Sequence, residues 1–238
     1  MKINLENFKS YTVNSVVILF SVILSFYIDG ERELNEKSVY KNKLITDLIN
    51  TINEDINQID YIRSQVSETV KNYNSILNDI DSKNKNLSRA DIMEMIVGDN
   101  IGISFFPQEG IFNQLISTGS FELIEKNELK SLLLEIYNHQ NNRNYATSYQ
   151  LDLFQIKFNE KSYNNFRINS EYNYQDGEIY GKPVVKSYLF NENYYYSNEF
   201  YGLLAEGKVN GNNYLRLIDN IRENYVQAKI YAEYEINN

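Results

Sequence analysis

Residues 45–80, ITDLINTINEDINQIDYIRSQVSETVKNYNSILNDI, decide how the rest of the chain is read. Apolar side chains recur at Ile45, Ile49, Ile52, Ile56, Ile59, Val66, Val70, Tyr73, Leu77 and Ile80. The steps alternate four and three, with one miss at Arg63 beside Ile62. Five such heptads without Pro or Gly predict one long helix with a continuous seam, because apolar residues every 3.5 positions stay on one face. Leu44, Leu48 and Ile62 widen the stripe, which predicts a bundle more than a bare two-stranded coil. The carboxylate neighbours on this helix, Glu54–Asp55 and Asp79 with Asp81, are expected on its solvated face. Acidic pairs at a catalytic distance need a cleft to hold them.

Upstream, Tyr11–Ile28 reads YTVNSVVILFSVILSFYI and carries no charge. As a helix these residues span roughly 27 Å, close to the ~30 Å of a hydrocarbon core. The eleven Val, Ile, Leu and Phe residues favour insertion by on the order of 5 kcal/mol, from which Asn14 and the serines subtract. Tyr11 and Tyr27 sit at the ends, where interfacial aromatics belong. A cleaved signal peptide would need small residues at its cleavage site, yet Ser25 follows Ile23 and Gly30 follows Ile28 at the required spacing. The expected organisation is a short N-terminal tail (1–10), a transmembrane helix (11–28) and a soluble helical domain (29–238). Lys and Arg are nearly balanced across the anchor, so the positive-inside rule is close to silent. The short tail and the large acidic domain favour a cell-membrane protein with its domain on the extracytoplasmic, periplasmic side. Asn14, Ser21 and Ser25 share one face, a small-xxx-small pair with an interhelical donor, and form a candidate helix-association surface. The alternative is that weakly polar residues are merely tolerated there.

Downstream of the seam, Asp81 to Asn86 is a polar loop. Ser88 with Asp91 makes a capping box for a short helix to Val97, closed by Gly98. Residues 99–110 contain Pro107 and read as loop, and Ile111–Thr118 is a second short helix stopped by Gly119. A longer helix is expected from Glu128 to about Tyr163, with a kink or exposed turn at its polar middle, Gln140 to Tyr145. The last helix, from about Asn212 to Ile236, repeats the heptad at Tyr214, Ile218, Ile221, Tyr225, Ala228 and Ala232. Residues 169–207 form a different texture, with a turn signal at Asp176–Gly177, a strand over Val184–Phe190, and eight Tyr between Tyr172 and Tyr201. Tyr188, Tyr194, Tyr195 and Tyr196 are candidates for a partner surface, the alternative being rings packed on the bundle. The fold class is mainly α: an N-terminal transmembrane helix continuing into an antiparallel long-helix bundle, with a small Tyr-rich irregular or β-hairpin insertion.

Two stretches carry a family resemblance: VVILFSVILSFYIDGERELNEKSVYKNKLITDLINTINEDINQI (16–59) and GIFNQLISTGSFELIEKNELKSLLLEIYNH (110–139), with a weaker third at 199–235. They resemble an uncharacterised bacterial family of single-pass membrane proteins, a domain of unknown function. Its members run from an apolar anchor straight into a charged helix, often with a Trp just past the anchor where this chain has Tyr27-Ile28-Asp29-Gly30. The resemblance implies the same layout and offers no catalytic residues.

Composition narrows the function. The chain has 238 residues, no Cys, one His (His139) and a formal charge of −9. Thiol chemistry is excluded, and most zinc sites and acid–base dyads with it. The acidic surface disfavours nucleic acid. No phosphate loop, zinc motif or serine elbow occurs. No catalytic residue, cofactor or metal is therefore expected. The expected partners are the bilayer, through residues 11–28, and a protein partner or a second copy. These features suit a membrane-anchored helical scaffold. The alternatives are an extracytoplasmic sensory ligand-binding module, which would need a separate output partner because no second apolar run follows, and a membrane effector in defence. A polar pocket between helices would favour the sensor, and an exposed apolar or Tyr-rich patch the scaffold.

Overall fold

The computed structural model describes residues 5–83, 86–174 and 181–237, with side chains from Asn14 onward. Helix α1 (Leu5–Ser82) runs unbroken through Asp29–Gly30. Short helices α2 (Arg89–Val97) and α3 (Gly110–Ser117) follow, with a 3-10 turn over Ser120–Leu123. Next, α4 (Asn127–Leu134), a π-helical turn (Glu135–Gln140) and α5 (Asn141–Phe166) lie end to end. An antiparallel hairpin, β1 (Asn169–Asn173) with β2 (Lys182–Ser187), leads through the single turn α6 (Glu192–Tyr195) into α7 (Asn198–Ile236). The protein is mainly α, with a bundle core and one small two-stranded sheet.

Two seams mate in antiparallel fashion. On α1 the line of buried positions facing α7 is Lys41, Ile45, Leu48, Ile52, Asp55, Ile59, Ile62, Val66, Thr69, Tyr73 and Ile76, with Leu44, Gln65, Val70, Leu77 and Asp79 buried beside it. On α7 they are Phe200, Leu204, Gly207, Gly211, Tyr214, Ile218, Ile221, Tyr225, Ala228, Ala232 and Glu235. Both alternate steps of four and three without a miss. Lys41 pairs with Glu235 at the lower end, and Tyr73 lies against Gly207 higher up, which fixes the antiparallel register. The apolar pattern alone places two seam residues one position late, at the half-buried Ile49 and Ile56, where Leu48 and Asp55 are the buried positions, whereas Val70 is buried as the pattern expects, beside Thr69. The miss at Arg63 disappears in the observed frame, where Ile62 fills the slot.

Those polar seam positions hold the returning chain. A buried backbone N–H needs an acceptor, and α1 supplies one at successive levels as residues 87–126 descend beside it. The Leu87 N–H donates to Asp79 Oδ1 (3.2 Å), that of Asn100 to Thr69 Oγ1 (3.2 Å) and that of Gln108 to Asp55 Oδ2 (3.2 Å). At the bottom the N–H groups of Glu125 and Lys126 donate to Glu235, itself held by Lys41 Nζ at 2.6 Å. The expectation that Asp55 and Asp79 lie on a solvated face is therefore corrected: both are buried acceptors, while Glu54 and Asp81 point outward.

From there α4, the π turn and α5 climb alongside α1. Tyr137 meets Tyr225, Phe158 meets Tyr73, and Phe166 meets Phe200 in ascending order. The interruption expected at the polar 140–145 stretch is realised just before it, as the π turn at 135–140. The Ser88 capping box is present, with Asp91 N donating to Ser88 Oγ at 3.1 Å and Ser88 N to Asp91 Oδ2 at 3.2 Å. Helix α7 begins at Asn198 rather than near Asn212, so the insertion shrinks to residues 169–197. Two glycines within α7 are packing surface: a Cβ at Gly207 would lie 2.4 Å from Tyr73 Cε2, and one at Gly211 would lie 2.4 Å from Val70 Cγ2. Strand β2 covers Lys182–Ser187 where Val184–Phe190 is expected, and the Asp176–Gly177 turn lies outside the described residues.

Candidate functional site

The N-terminal third of α1 is the first candidate. Every described side chain from Asn14 to Tyr40 is exposed, while burial begins at Lys41. An 18-residue window at the start of the described segment has a mean hydropathy of 1.4 and none of it is buried against the bundle. By length and composition this helix can cross a membrane. Asn14, Ser21 and Ser25 all lie on the exposed stretch, and Ser21 Oγ donates to Val17 O at 2.8 Å within its own helix.

The tyrosines divide. Tyr194 and Tyr195 are buried, so they are corrected from surface to core. They pack with Phe166, Phe190 and Phe200 at centroid distances of 5.3–5.9 Å. Tyr195 also donates its hydroxyl to Asp79 Oδ2 at 2.8 Å. The single turn of α6 is what turns two neighbouring rings inward, with Asn191 Oδ1 capping it through Tyr194 N at 3.1 Å. Tyr188 is half-buried against the core, and Tyr196 is 39% exposed. This part of the tyrosine-rich insertion closes the distal end of the bundle.

The second candidate is a cleft of about 700 Å³ between α1, the 97–106 segment, α5 and the hairpin. Its walls carry Tyr61, Gln65, Asn100, Phe106, Asp152, Gln155, Ile156, Asn159, Tyr163 and Tyr172. Asp99 sits at its base with its acceptors in use: Tyr73 Oη donates at 2.7 Å, Gln155 Nε2 at 3.2 Å and Ile101 N at 3.1 Å. The Gln155 side chain faces two ways, since its Oε1 also accepts from Gly102 N at 3.1 Å. Asn100 Nδ2 donates to Gln65 Oε1 at 3.1 Å. The cleft is thus lined by carboxamides and rings together with the charged groups Asp99, Asp152 and Lys182, a surface suited to a polar molecule. Sequence spacing could not show it, because its residues come from four separate elements.

Electrostatically the unusual groups are buried carboxyls. Burial pushes Asp99 up to about 6, against the pull of Tyr73, Ile101 N–H and Gln155. Burial also raises Asp55 to about 6, opposed by its bonds from Gln108 and the Tyr225 hydroxyl. At Glu235 burial again pushes upward, but Lys41 and the N–H donors of Glu125 and Lys126 overcome it and hold the carboxyl below its ordinary range. His139 is exposed on the π turn. Among the described residues no group of three His, Cys, Asp or Glu side chains is placed to hold a metal. Desolvation is the largest cause at both carboxyls, with Glu54 adding to the rise at Asp55.

Comparison of the chain with protein-family models, with curated proteins and with solved structures finds no match.

Proposed function

We propose that this chain is a single-pass membrane protein that holds a helical interaction module off the bilayer, on the extracytoplasmic side, for a protein partner or a further copy. The observation that carries the reading is the continuity of α1. One helix passes from an exposed apolar stretch, through an exposed polar stalk at residues 29–40, into the core at Lys41 without a break. The stalk's twelve residues lift the bundle by about 18 Å. Its charges pair along the helix, Arg32 with Glu36 at 2.9 Å and Lys37 with Glu33 at 2.7 Å, which favours a stiff rod in water. A loop would let the bundle tumble, whereas a rod fixes its height and limits its tilt. The acidic remainder supports the extracytoplasmic placement, and the resemblance at residues 16–59 implies the same layout.

The test uses the absence of Cys. Asn237→Cys, at the exposed end of α7, is introduced into the full chain and treated with an impermeant maleimide in intact cells. Labelling without lysis is the expected result. Protection until lysis would put the bundle in the cytoplasm, and recovery in the alkaline-soluble fraction would remove the anchor.

The cleft favours a second reading, a sensor. Its carboxamide and aromatic lining suits a hydroxyl-bearing polar ligand. If a ligand is sensed there, Gln155→Ala should abolish the thermal shift that the ligand produces on the purified chain, from an unliganded midpoint that is itself lowered because Gly102 N–H and Asp99 each lose a partner.

A further inference from the structure

Among the described residues, the outer face of α5 has no partner in the bundle. Leu151, Phe154, Phe158 and Phe166 pack inward, and on the opposite side Tyr145, Tyr149, Leu153 and Ile156 form a stripe at helical spacing. These four are exposed by 74, 57, 51 and 64%, and Phe106, which shares the cleft wall with Ile156, by 65%. A buried α5 with a second apolar face is unusual for a chain in which 23% of residues are charged. Residues 144–156 carry one charge, Asp152, which lies beside Gly102 at the stripe's edge. Aromatic enrichment with local depletion of charge is the compositional mark of an interface centre.

We infer that this stripe is the contact between two copies of the chain standing side by side in one membrane. The inference rests on the anchored reading in one respect, the common orientation of the copies. Anchors in one membrane make copies parallel, so their two-fold axis must run along the membrane normal. Helix α5 climbs in the same direction as α1, as the ascending contacts Tyr137–Tyr225, Phe158–Tyr73 and Phe166–Phe200 record. A stripe along such a helix meets its own copy in parallel register, Tyr149 against Tyr149. Height excludes lipid as the occupant. Asn144 is bonded to Tyr214, in the seam level with Ile62 and Val66. That level lies about 50 Å along α1 from the end of the anchor.

Area points to the same occupant. Five large side chains, each half to three-quarters exposed, offer on the order of 500 Å² per copy. A standard interface uses about 800 Å² per partner. Such a face is too small for a tight complex in dilute solution. It is sufficient when tethering raises the effective concentration toward the millimolar range.

The test is cysteine crosslinking of the full chain in its membrane. Tyr149→Cys, treated with a short bismaleimide, should give a covalent dimer of twice the chain mass. Ser67→Cys, on the exposed outer face of α1, should not. Adding Leu153→Glu to Tyr149→Cys should lower the dimer yield about tenfold, the scale of losing one interface anchor. Glu31→Cys reports the stalk separately. A stalk crosslink that survives Leu153→Glu, with none at Tyr149→Cys, would assign association to the anchor and overturn the inference. Crosslinking of Tyr149→Cys only to a product of another mass would overturn it in favour of a different protein. Solubility of the chain without its membrane tests the anchor and leaves the crosslink result separately readable.

Discussion

At the scale of single residues, the core is held in register by polar groups placed where an apolar seam would run uninterrupted. Asp55 Oδ2 accepts from Gln108 N, while Asp55 Oδ1 has no aligned donor. Asp55→Asn keeps the acceptor and replaces the charge, so it should stabilise the protein at neutral pH by on the order of 1–3 kcal/mol, from the size of the shift. Equilibrium urea unfolding at pH 7.5 would measure it, and destabilisation would mean that the charge is needed. The pH dependence has a definite sign. Asp55 and Asp99 are both raised from 3.8 to about 6. Their contribution is fully present below the ordinary carboxylate range and is lost as pH rises through about 6. The unfolding midpoint should therefore increase as pH falls from 7.5 toward 5, and Asp55→Asn should flatten part of that slope. Glu235 acts oppositely. Its lowered folded value means that its contribution is present above pH 4.5 and lost on acidification below it. Lys41→Ala leaves Glu235 buried beside two N–H donors and should cost about 3–5 kcal/mol. The double variant Lys41→Met with Glu235→Leu should not recover this loss, because the Glu125 and Lys126 N–H groups would then have no acceptor.

At the scale of elements, α7 makes room for facing core side chains at two positions where it has no side chain, Gly207 and Gly211. Gly207→Ala would gain helix propensity of about 1 kcal/mol. The new Cβ, however, would sit 2.4 Å from Tyr73 Cε2 and 2.7 Å from Phe154 Cζ, two rings fixed in the core. The contact outweighs the propensity, and a net loss of about 1–3 kcal/mol is expected. Gly202→Ala, on the same helix with nothing within 4 Å of its Cβ, should instead stabilise by about 0.5–1 kcal/mol. Thermal melts of the two variants should move in opposite directions. The same two helices show what the sequence carries and what it hides. The α7 heptad is legible from Tyr214 to Ala232 because every seam residue there is apolar. Its upper part is not, since glycines spaced by four look like breakers until a facing helix needs the room. On α1 the helix is legible but the seam is read one position late at two rungs, because nothing local distinguishes Asp55, a core acceptor, from Glu54, a surface one. The distinction is made by Gln108, a residue 53 positions away.

At the scale of the whole molecule, one helix joins the exposed apolar stretch to the bundle, and among the described residues no side chain between Asn14 and Val39 is buried. The apolar stretch is legible because the capacity to cross a membrane depends on length and apolar content, both local properties. The cleft and the outer stripe of α5 are not, because they depend on which face of α5 the other helices leave open. Leu151 and Leu153 differ by two positions and look equivalent in sequence, yet one is buried and the other half exposed. The separation of the two parts has a measurable consequence. The described side chains of residues 14–39 are exposed, and the lowest contacts with the bundle are Tyr40, whose hydroxyl accepts from Gln114 Nε2 at 2.9 Å, and Lys41 with Glu235. A chain beginning at residue 29 keeps those contacts and every layer above them. It loses only helix that is exposed in water and would be wrapped by lipid in a membrane. Its unfolding free energy should therefore match that of the full chain in detergent within about 0.5 kcal/mol, the range of changes away from packed groups. The fragment should also stay in solution without detergent, since its largest exposed apolar face, on α5, is below the area of a standard interface. A truncated chain that melts early would mean that residues before 29 support the bundle, against the exposure of every described side chain from Asn14 to Ile28.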